Sequence, residues 1–213
     1  MLITFSGLDG AGKTSLIQWL RAHLEHRDRS VAVLHMNEDV GVYAYLQTLR
    51  DHVRGTRRPA DAPPRPLNVA RTRWERMRDA IVWSKWLRRV LYPVDLMIFL
   101  LYRAYLEKLR GRILIMDRYF YDRLVDVADR NGWSLLRVFA RLTPTPDLPV
   151  FLDITPEESF ARKGEYSVEY LRSREARYRA VVPWIRSAVI VPNCGLEAAK
   201  RTLARAVAER IGL

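Results

Sequence analysis

Residues 7–14 read GLDGAGKT and follow directly on the short apolar run LITF at residues 2–5. They fit the pattern G-x-x-x-x-G-K-[ST], in which glycines let backbone N–H groups converge on an anion and the following helix adds its positive end. Lys13 would reach the β- and γ-phosphates of a nucleotide, and the Thr14 hydroxyl would bind the bridging Mg²⁺. A glycine-rich turn that matches by chance is disfavoured, because strand, loop and helix come in the required order. The predicted nucleotide-binding residues are Gly7, Gly10, Ala11, Gly12, Lys13, Thr14 and Ser15.

Further apolar runs predict the rest of a parallel sheet. The continuous apolar stretch at residues 30–36 is typical of a strand buried on both faces of a parallel sheet, and the apolar runs at residues 113–117, 148–154 and 188–191 predict three further strands. Helical patterns separate these stretches. Five parallel strands that alternate with helices predict a three-layer α/β/α sandwich, formed by a single domain over residues 1–213. The helix after the glycine-rich loop carries an apolar stripe of Leu16, Ile17, Leu20 and Leu24.

Helix boundaries are predicted from prolines, caps and apolar spacing. We expect a helix over residues 67–91, a second over residues 94–109 that follows Pro93, and another over residues 168–186. The capping box TPEE at residues 155–158 starts a helix that ends near Gly164. One face of the last helix carries Leu196, Ala199, Leu203, Val207 and Ile211.

A proline- and arginine-rich segment interrupts this pattern at about residues 54–73. It holds four prolines and six arginines, and proline at that density breaks regular structure. We predict a loop that serves either as a solvated connection or as a basic arm for an acidic partner.

The composition is that of a strongly basic globular protein. Its 36 Lys+Arg residues exceed its 24 Asp+Glu residues, giving a formal net charge of +12, which favours nucleotides, nucleic acid or an anionic membrane surface as partners. Arginine used as a general surface cation explains the excess equally well. The lone Cys194 excludes an internal disulfide, the start MLITFSG shows no secretory leader, and the apolar run 96–102 is too short to cross a bilayer. These features predict a cytoplasmic protein.

The apolar run at residues 113–116 ends in the carboxylate of Asp117. A parallel strand beside the first one would deliver this acid to the Mg²⁺ at the phosphate loop. Thr14 and Asp117 are therefore the predicted metal ligands, and ATP with Mg²⁺ the predicted cofactors. Asp117 could instead cap the helix that follows.

Several motifs together resemble a known family. The loop GLDGAGKT, LYRAYL at residues 101–106, MDRY at 116–119, PDLPVFLDITPEE at 146–158 and ARKGEY at 161–166 come in the order found in thymidylate kinases, which are P-loop nucleoside monophosphate kinases. The resemblance spans nearly the whole chain. It implies MgATP-dependent phosphoryl transfer to a small nucleotide acceptor such as dTMP. Because these kinases are commonly dimers, it also allows a homodimer through the tryptophan-rich helices.

The resemblance implies how the acceptor would be bound. Asp9 matches an acid that contacts the sugar hydroxyl, and Arg103 matches an arginine that reaches the base and phosphate. Asp117 and Arg118 match a pair that lies at the Mg²⁺ and clamps the acceptor phosphate, with Tyr119 as the wall beside it.

A lid is implied at about residues 161–170, where Arg162 and Lys163 would close over the donor phosphates. Both could instead be cations that offset the dipole at a helix C-terminus. The implied catalytic residues are Lys13, Asp117, Arg118 and Arg162.

Other residues depart from that family in the acceptor half of the site. Where the family carries a TREP-like segment, this chain reads HMNED at residues 35–39; Tyr105 replaces a glutamine that helps to read the pyrimidine, and residues 120–123 lack the usual serine. Three alternatives stay open: a kinase for a deoxynucleoside or sugar-like alcohol, a basic nucleic-acid-binding ATPase or regulatory module, and a protein that binds nucleotide without transferring phosphate. An alcohol acceptor would need a carboxylate base, for which the candidates are Asp9, Glu38, Asp39 and Asp117.

Overall fold

Five parallel strands form one sheet in the computed structural model, which describes residues 1–36, 85–127, 133–192 and 195–211. The spatial order is β2-β3-β1-β4-β5, and all five predicted strands are confirmed. The predictions for the loop at 54–73, for Glu38 and Asp39, and for Cys194 lie outside the described residues. The strands are β1 (Leu2–Gly7), β2 (Val31–His35), β3 (Ile113–Asp117), β4 (Leu148–Asp153) and β5 (Val189–Pro192).

The position of each strand in the sheet explains its burial. All six residues of β1 are buried, because β1 lies between β3 and β4. In β2, at one end of the described sheet, Leu34 is buried and the other residues are only half-buried. The prediction of burial on both faces is therefore wrong for β2.

The helices correct two predicted boundaries. The helix Lys85–Ala104, α2, continues through Pro93: the proline removes one intrahelical hydrogen bond, and helical turns form on both sides of it. The helix α6 ends at Val181, since Pro183 turns the chain into a short 3₁₀ segment. No helix in the described ranges is both long and apolar enough to span a membrane. The helices are α1 (Lys13–Glu25), α2 (Lys85–Ala104, continued by a π-helical turn at Tyr105–Leu109), α3 (Phe120–Val127), α4 (Trp133–Leu142), α5 (Pro156–Lys163), α6 (Val168–Val181) and α7 (Leu196–Ile211).

Helices cover both faces of the sheet and confirm the three-layer sandwich. On one face, α1 and α7 pack on the strands in a core whose largest members include Phe5, Leu20 and Leu203, all fully buried. Burial of each such side chain contributes about 2 kcal/mol to folding. On the other face, α6 packs the ring of Tyr178 against Phe151 of β4, with 5.3 Å between ring centroids. Leu196, predicted on the buried face of α7, is instead 47% exposed.

The chain divides into two units. One is formed by residues 1–36 and 102–213 and contains the whole sheet, and the other is formed by residues 37–101. The single domain inferred from the sequence stays a prediction.

Candidate active site

The turn from β1 into the glycine-rich loop can be formed only by glycine. Gly7 has a φ of 141°, and a Cβ at this position would lie 2.7 Å from the backbone oxygen of Leu152 in β4. At the end of the loop, Gly12 is the N-cap of α1 with a φ of 87° and gives the helix no side-chain cap. The first turn of α1 also contains no acidic residue. The backbone N–H groups at the positive end of this helix can therefore bind an external anion.

Lys13 is buried beneath the loop that it is predicted to serve. Its side chain is 8% exposed, and its Nζ donates hydrogen bonds to the carbonyl oxygens of Gly7 at 3.0 Å and Leu8 at 2.8 Å. Burial, and then the positive charge of Arg118, lower the pKa of Lys13. These contacts are neutral, so a nucleotide phosphate would be a stronger partner for the ammonium group.

Asp117 lies beside the loop because β3 pairs with β1. The register sets Asp117 opposite Phe5 of β1 and opposite His35 of β2. Its Oδ2 lies 3.6 Å from Nδ1 of His35, whereas its Oδ1 is buried and accepts no hydrogen bond from the described residues. Since α3 begins only at Phe120, Asp117 does not act as its cap.

The residues at this edge fit a magnesium ion that is held together with a nucleotide. A buried carboxylate oxygen without a partner is suited to a metal ion or to metal-bound water. The Thr14 side chain is exposed at the start of α1. In the described ranges no group of three or more His, Cys, Asp or Glu residues is placed to hold a metal by itself. Mg²⁺ commonly takes one or two protein ligands plus substrate phosphates, and Thr14 with Asp117 would supply that protein share.

Arg118 joins the turn after β3 to the loop. Its backbone N–H donates to the Phe5 carbonyl at 2.9 Å, and its Nη2 makes a close ion pair with Oδ1 of Asp9. Burial opposes the charged form of Arg118, but the carboxylates of Asp122 and Asp9 outweigh it and raise its pKa. For Asp9, burial alone would raise the pKa, but Arg118 and Lys13 lower it overall. The guanidinium is thus a fixed cation whose ion-pair partner within the described part of the chain is the carboxylate of Asp9.

The predicted lid begins beside the loop. On α5, the Ser159 hydroxyl donates to the carbonyl of Asp9, and Nη1 of Arg162 lies 3.5 Å from the carbonyl oxygen of Gly10. Lys163 instead pairs with Glu165 at 2.9 Å. Both cations lie in the last turn of α5, so they also face the negative end of its dipole. Arg162 thus reaches a backbone oxygen of the phosphate loop, whereas the ammonium group of Lys163 pairs with Glu165.

Two residues expected at the acceptor lie elsewhere. Arg103 bonds to Glu107 at 3.0 Å and Asp147 at 2.9 Å, and Asp147 in turn accepts from the N–H of Leu2, the first residue of β1. Arg103 is therefore at the opposite edge of the sheet from the loop, about 20 Å away for a strand of this length. Tyr119 is fully buried and donates its hydroxyl to the carbonyl of Pro144 at 2.8 Å, so its ring does not line the site.

Sequence reasoning missed two residues that hold the site together. Ser159 anchors the backbone of the loop at Asp9, and no sequence signal marks a serine inside a short helix as such a contact. Asp122 is 2% exposed and accepts three hydrogen bonds in the turn that carries Arg118. An acid in the first turn of α3, four residues after Arg118, was the available signal.

Known proteins that resemble this chain agree with a phosphate-binding site at this edge of the sheet. No protein-family model matches the chain. The thymidylate kinase of Chlorobium luteolum is 32% identical over 176 residues, which cover 76% of this chain and 66% of that enzyme. The chain is related to thymidylate kinases. The thymidylate kinase of Chlorobaculum parvum is 29% identical over 76% of this chain and 65% of its own length, and that of Caldanaerobacter subterraneus is 24% identical over 84% and 76%. The chain thus spans 66% and 65% of the lengths of the first two relatives.

Proposed function

We propose that this chain is an MgATP-dependent kinase that transfers the γ-phosphoryl group to a (deoxy)nucleoside monophosphate, with a dTMP-like acceptor. One observation carries the proposal: Lys13, the free Oδ1 of Asp117 and the guanidinium of Arg118 meet at the carboxyl ends of β1 and β3. This edge of a parallel sheet is where nucleotides bind in such folds. The relatives named thymidylate kinase support the acceptor class.

On the donor side, the loop and Lys13 would bind the β- and γ-phosphates. The uncapped start of α1 supplies backbone N–H groups, and Lys13 would exchange the carbonyls of Gly7 and Leu8 for phosphate oxygens. Bound Mg²⁺ would neutralise phosphate charge, with Thr14 and Asp117 as its protein ligands. Fixed cations of this kind stabilise the charge on the transferring group.

On the acceptor side, Arg118 would hold the acceptor phosphate in line with the donor. Its guanidinium can form two parallel hydrogen bonds to phosphate oxygens, a geometry that a lysine cannot match. The guanidinium now pairs with the carboxylate of Asp9. Once an acceptor phosphate replaces that carboxylate, Asp9 can accept a hydrogen bond from a sugar hydroxyl. Arg162 would close from α5 over the donor phosphates and exclude water.

The proposal is tested by acceptor-dependent release of ADP from MgATP. The panel contains dTMP, dUMP, the other nucleoside monophosphates, deoxynucleosides and simple sugars, with the Lys13→Ala variant as the control for contaminating kinases. We expect turnover with dTMP or a second nucleoside monophosphate, and none in the control. ADP release that does not depend on any acceptor would contradict the proposal.

A kinase for another small acceptor is the second candidate, and one observation favours it. Arg103 and Tyr119, both expected to contact dTMP, lie away from the site. The donor residues are unaffected by this difference. Turnover of a deoxynucleoside or sugar with silence toward all monophosphates would select this candidate.

We also propose that the chain forms a homodimer through one face of α2. Val94, Met97, Ile98 and Leu101 follow helical spacing and are 41%, 58%, 43% and 67% exposed. An apolar stripe of this kind suits an isologous contact, in which the same face meets itself across a two-fold axis.

Substitution of Leu101 by aspartate is expected to convert the dimer into a monomer, because it buries a carboxylate from each copy in an apolar contact. Sedimentation velocity at matched concentrations gives the oligomeric state. The control is Ile190→Asp, which charges another exposed apolar position, 53% exposed on β5. A monomeric unmodified chain would overturn this proposal.

A further inference from the structure

The carboxylate of Asp122 lies directly behind the turn that carries Arg118. Its Oδ2 accepts the backbone N–H of Tyr119 at 2.8 Å and the hydroxyl of Ser6 at 2.7 Å. Its Oδ1 accepts the hydroxyl of Tyr178 at 2.6 Å. One side chain thus ties the end of β1, the turn after β3 and the last turn of α6 to each other.

This network fixes a backbone conformation that arginine rarely adopts. Arg118 has a φ of 64°, in the left-handed region that disfavours residues with a Cβ. The two peptide groups on either side of its Cα are both held: its own N–H by the carbonyl of Phe5, and the next N–H by Asp122. The hydrogen bond from Tyr119 N–H to Asp122 thus holds the peptide group that follows Arg118 and opposes relaxation of the arginine toward negative φ.

The charge on Asp122 also acts on the guanidinium. Asp122 is the first of the two carboxylates that raise the pKa of Arg118 against the effect of burial. The hydroxyls of Ser6 and Tyr178 and the N–H of Tyr119 all donate to its carboxylate. Asp122 is 2% exposed, so water screens its charge poorly. Burial first, and then Asp122, raise the pKa of Tyr178, which keeps that hydroxyl protonated as a donor.

We propose that Asp122 is a positioning residue that acts through Arg118, holding it in the left-handed turn from which its guanidinium meets the acceptor phosphate. The inference rests on the proposed function for its kinetic consequence, but its structural content is independent of the acceptor. Asp122 itself contacts no substrate, because its carboxylate is enclosed by Ser6, Tyr119 and Tyr178.

A double-mutant cycle with Asp122→Asn and Arg118→Ala tests the kinetic part. Asparagine keeps the shape but loses the charge and one acceptor, so we expect kcat/KM for the acceptor to fall about 10- to 100-fold, while the KM for ATP stays within about twofold. In the Arg118→Ala background the same change should cost less than about threefold, because the residue it positions is gone. Equal losses in both backgrounds would show a merely structural role and overturn the proposal.

Tyr121→Phe is the matched control. Tyr121 is 3% exposed and neighbours Asp122 in the chain, but its hydroxyl bonds to Thr145. The substitution Tyr121→Phe removes a buried hydroxyl near the site but leaves the hydrogen bonds of the Asp122 carboxylate in place, so the acceptor kinetics should not change. A loss equal to that of Asp122→Asn would attribute the effect to general loosening and contradict the proposal.

An NMR measurement decides the structural part without any turnover. The Nε–Hε resonance of Arg118, assigned by its disappearance in Arg118→Lys, should be resolved and slowly exchanging in the unmodified chain and in Tyr121→Phe. In Asp122→Asn we expect it to broaden and move toward the resonances of exposed arginines. An unchanged resonance would overturn the positioning role. A chain that turns over no acceptor yet shows this change would disprove the proposed function and leave the role of Asp122 intact.

Discussion

Replacement of Lys13 by alanine is expected to lower kcat for phosphoryl transfer by about 10²- to 10³-fold, the range found when one preorganised donor to a developing charge is removed. The ammonium group is already buried under the loop, within hydrogen-bonding distance of two loop carbonyls, so it needs little rearrangement to meet a phosphate. Steady-state kinetics with saturating MgATP and acceptor measure the effect.

The fold should survive this change. The hydrogen bonds of Lys13 go to the carbonyls of Gly7 and Leu8, which water can solvate once the side chain is gone, and its ion pair with Asp9 is long, at 3.8 Å. We therefore expect the midpoint of thermal unfolding to move by a few degrees at most. Lys200→Ala is the control: this lysine pairs with Glu197 on α7 at 2.7 Å and should leave kcat unchanged. Full activity in Lys13→Ala would remove the loop from the mechanism.

The donor half of the site could be predicted because its residues are local in sequence. The loop, Lys13 and the start of α1 are fixed by one short motif whose geometry follows from its glycines. Asp117 required one further step, that its strand lies beside β1, and the register confirms this. Because β1 and β3 pair in parallel, their carboxyl ends lie side by side, and the position of Asp117 follows.

The acceptor half could not be predicted in the same way. Arg103 was assigned through a resemblance in LYRAYL, but a matched motif of six residues on a helix does not fix which end of the sheet its side chains reach. In this chain the arginine meets Asp147 near the beginning of β1. The ring of Tyr119 lies away from the site for another reason. Adjacent residues in a tight turn point in different directions, and of these two residues Arg118 is the one that points at the loop.

The contacts that organise the turn are long-range, and no pattern in the sequence reports them. Asp122 meets Ser6, which is 116 residues away, and Tyr178, which is 56 residues away. A buried carboxylate generally has hydrogen-bond partners, but the identity of those partners depends on how α3 and α6 cross the sheet. The same holds for Ser159, whose bond to Asp9 spans 150 residues.

Replacement of Arg118 by alanine is expected to reduce kcat/KM for the acceptor by about 10²-fold or more, while the KM for ATP changes by less than about threefold. The loss is specific because Lys13 and the loop, which would bind the donor, keep their own partners. Steady-state kinetics with each substrate varied in turn separate the two effects.

Asp9 provides an internal check on that result. Burial alone would raise its pKa, and at present Arg118 and Lys13 together lower it, so in Arg118→Ala the pKa should rise. An ionised Asp9 stabilises the fold above its unfolded pKa, and that contribution is lost as the pH falls through the folded pKa. The variant should therefore lose stability at a higher pH than the unmodified chain on the acid side. Arg118→Lys keeps the charge but not the two-pronged geometry, so it should restore the pKa of Asp9 and recover only part of the acceptor kinetics. If Arg118→Ala instead weakened ATP binding and spared the acceptor, the guanidinium would belong to the donor side of the site.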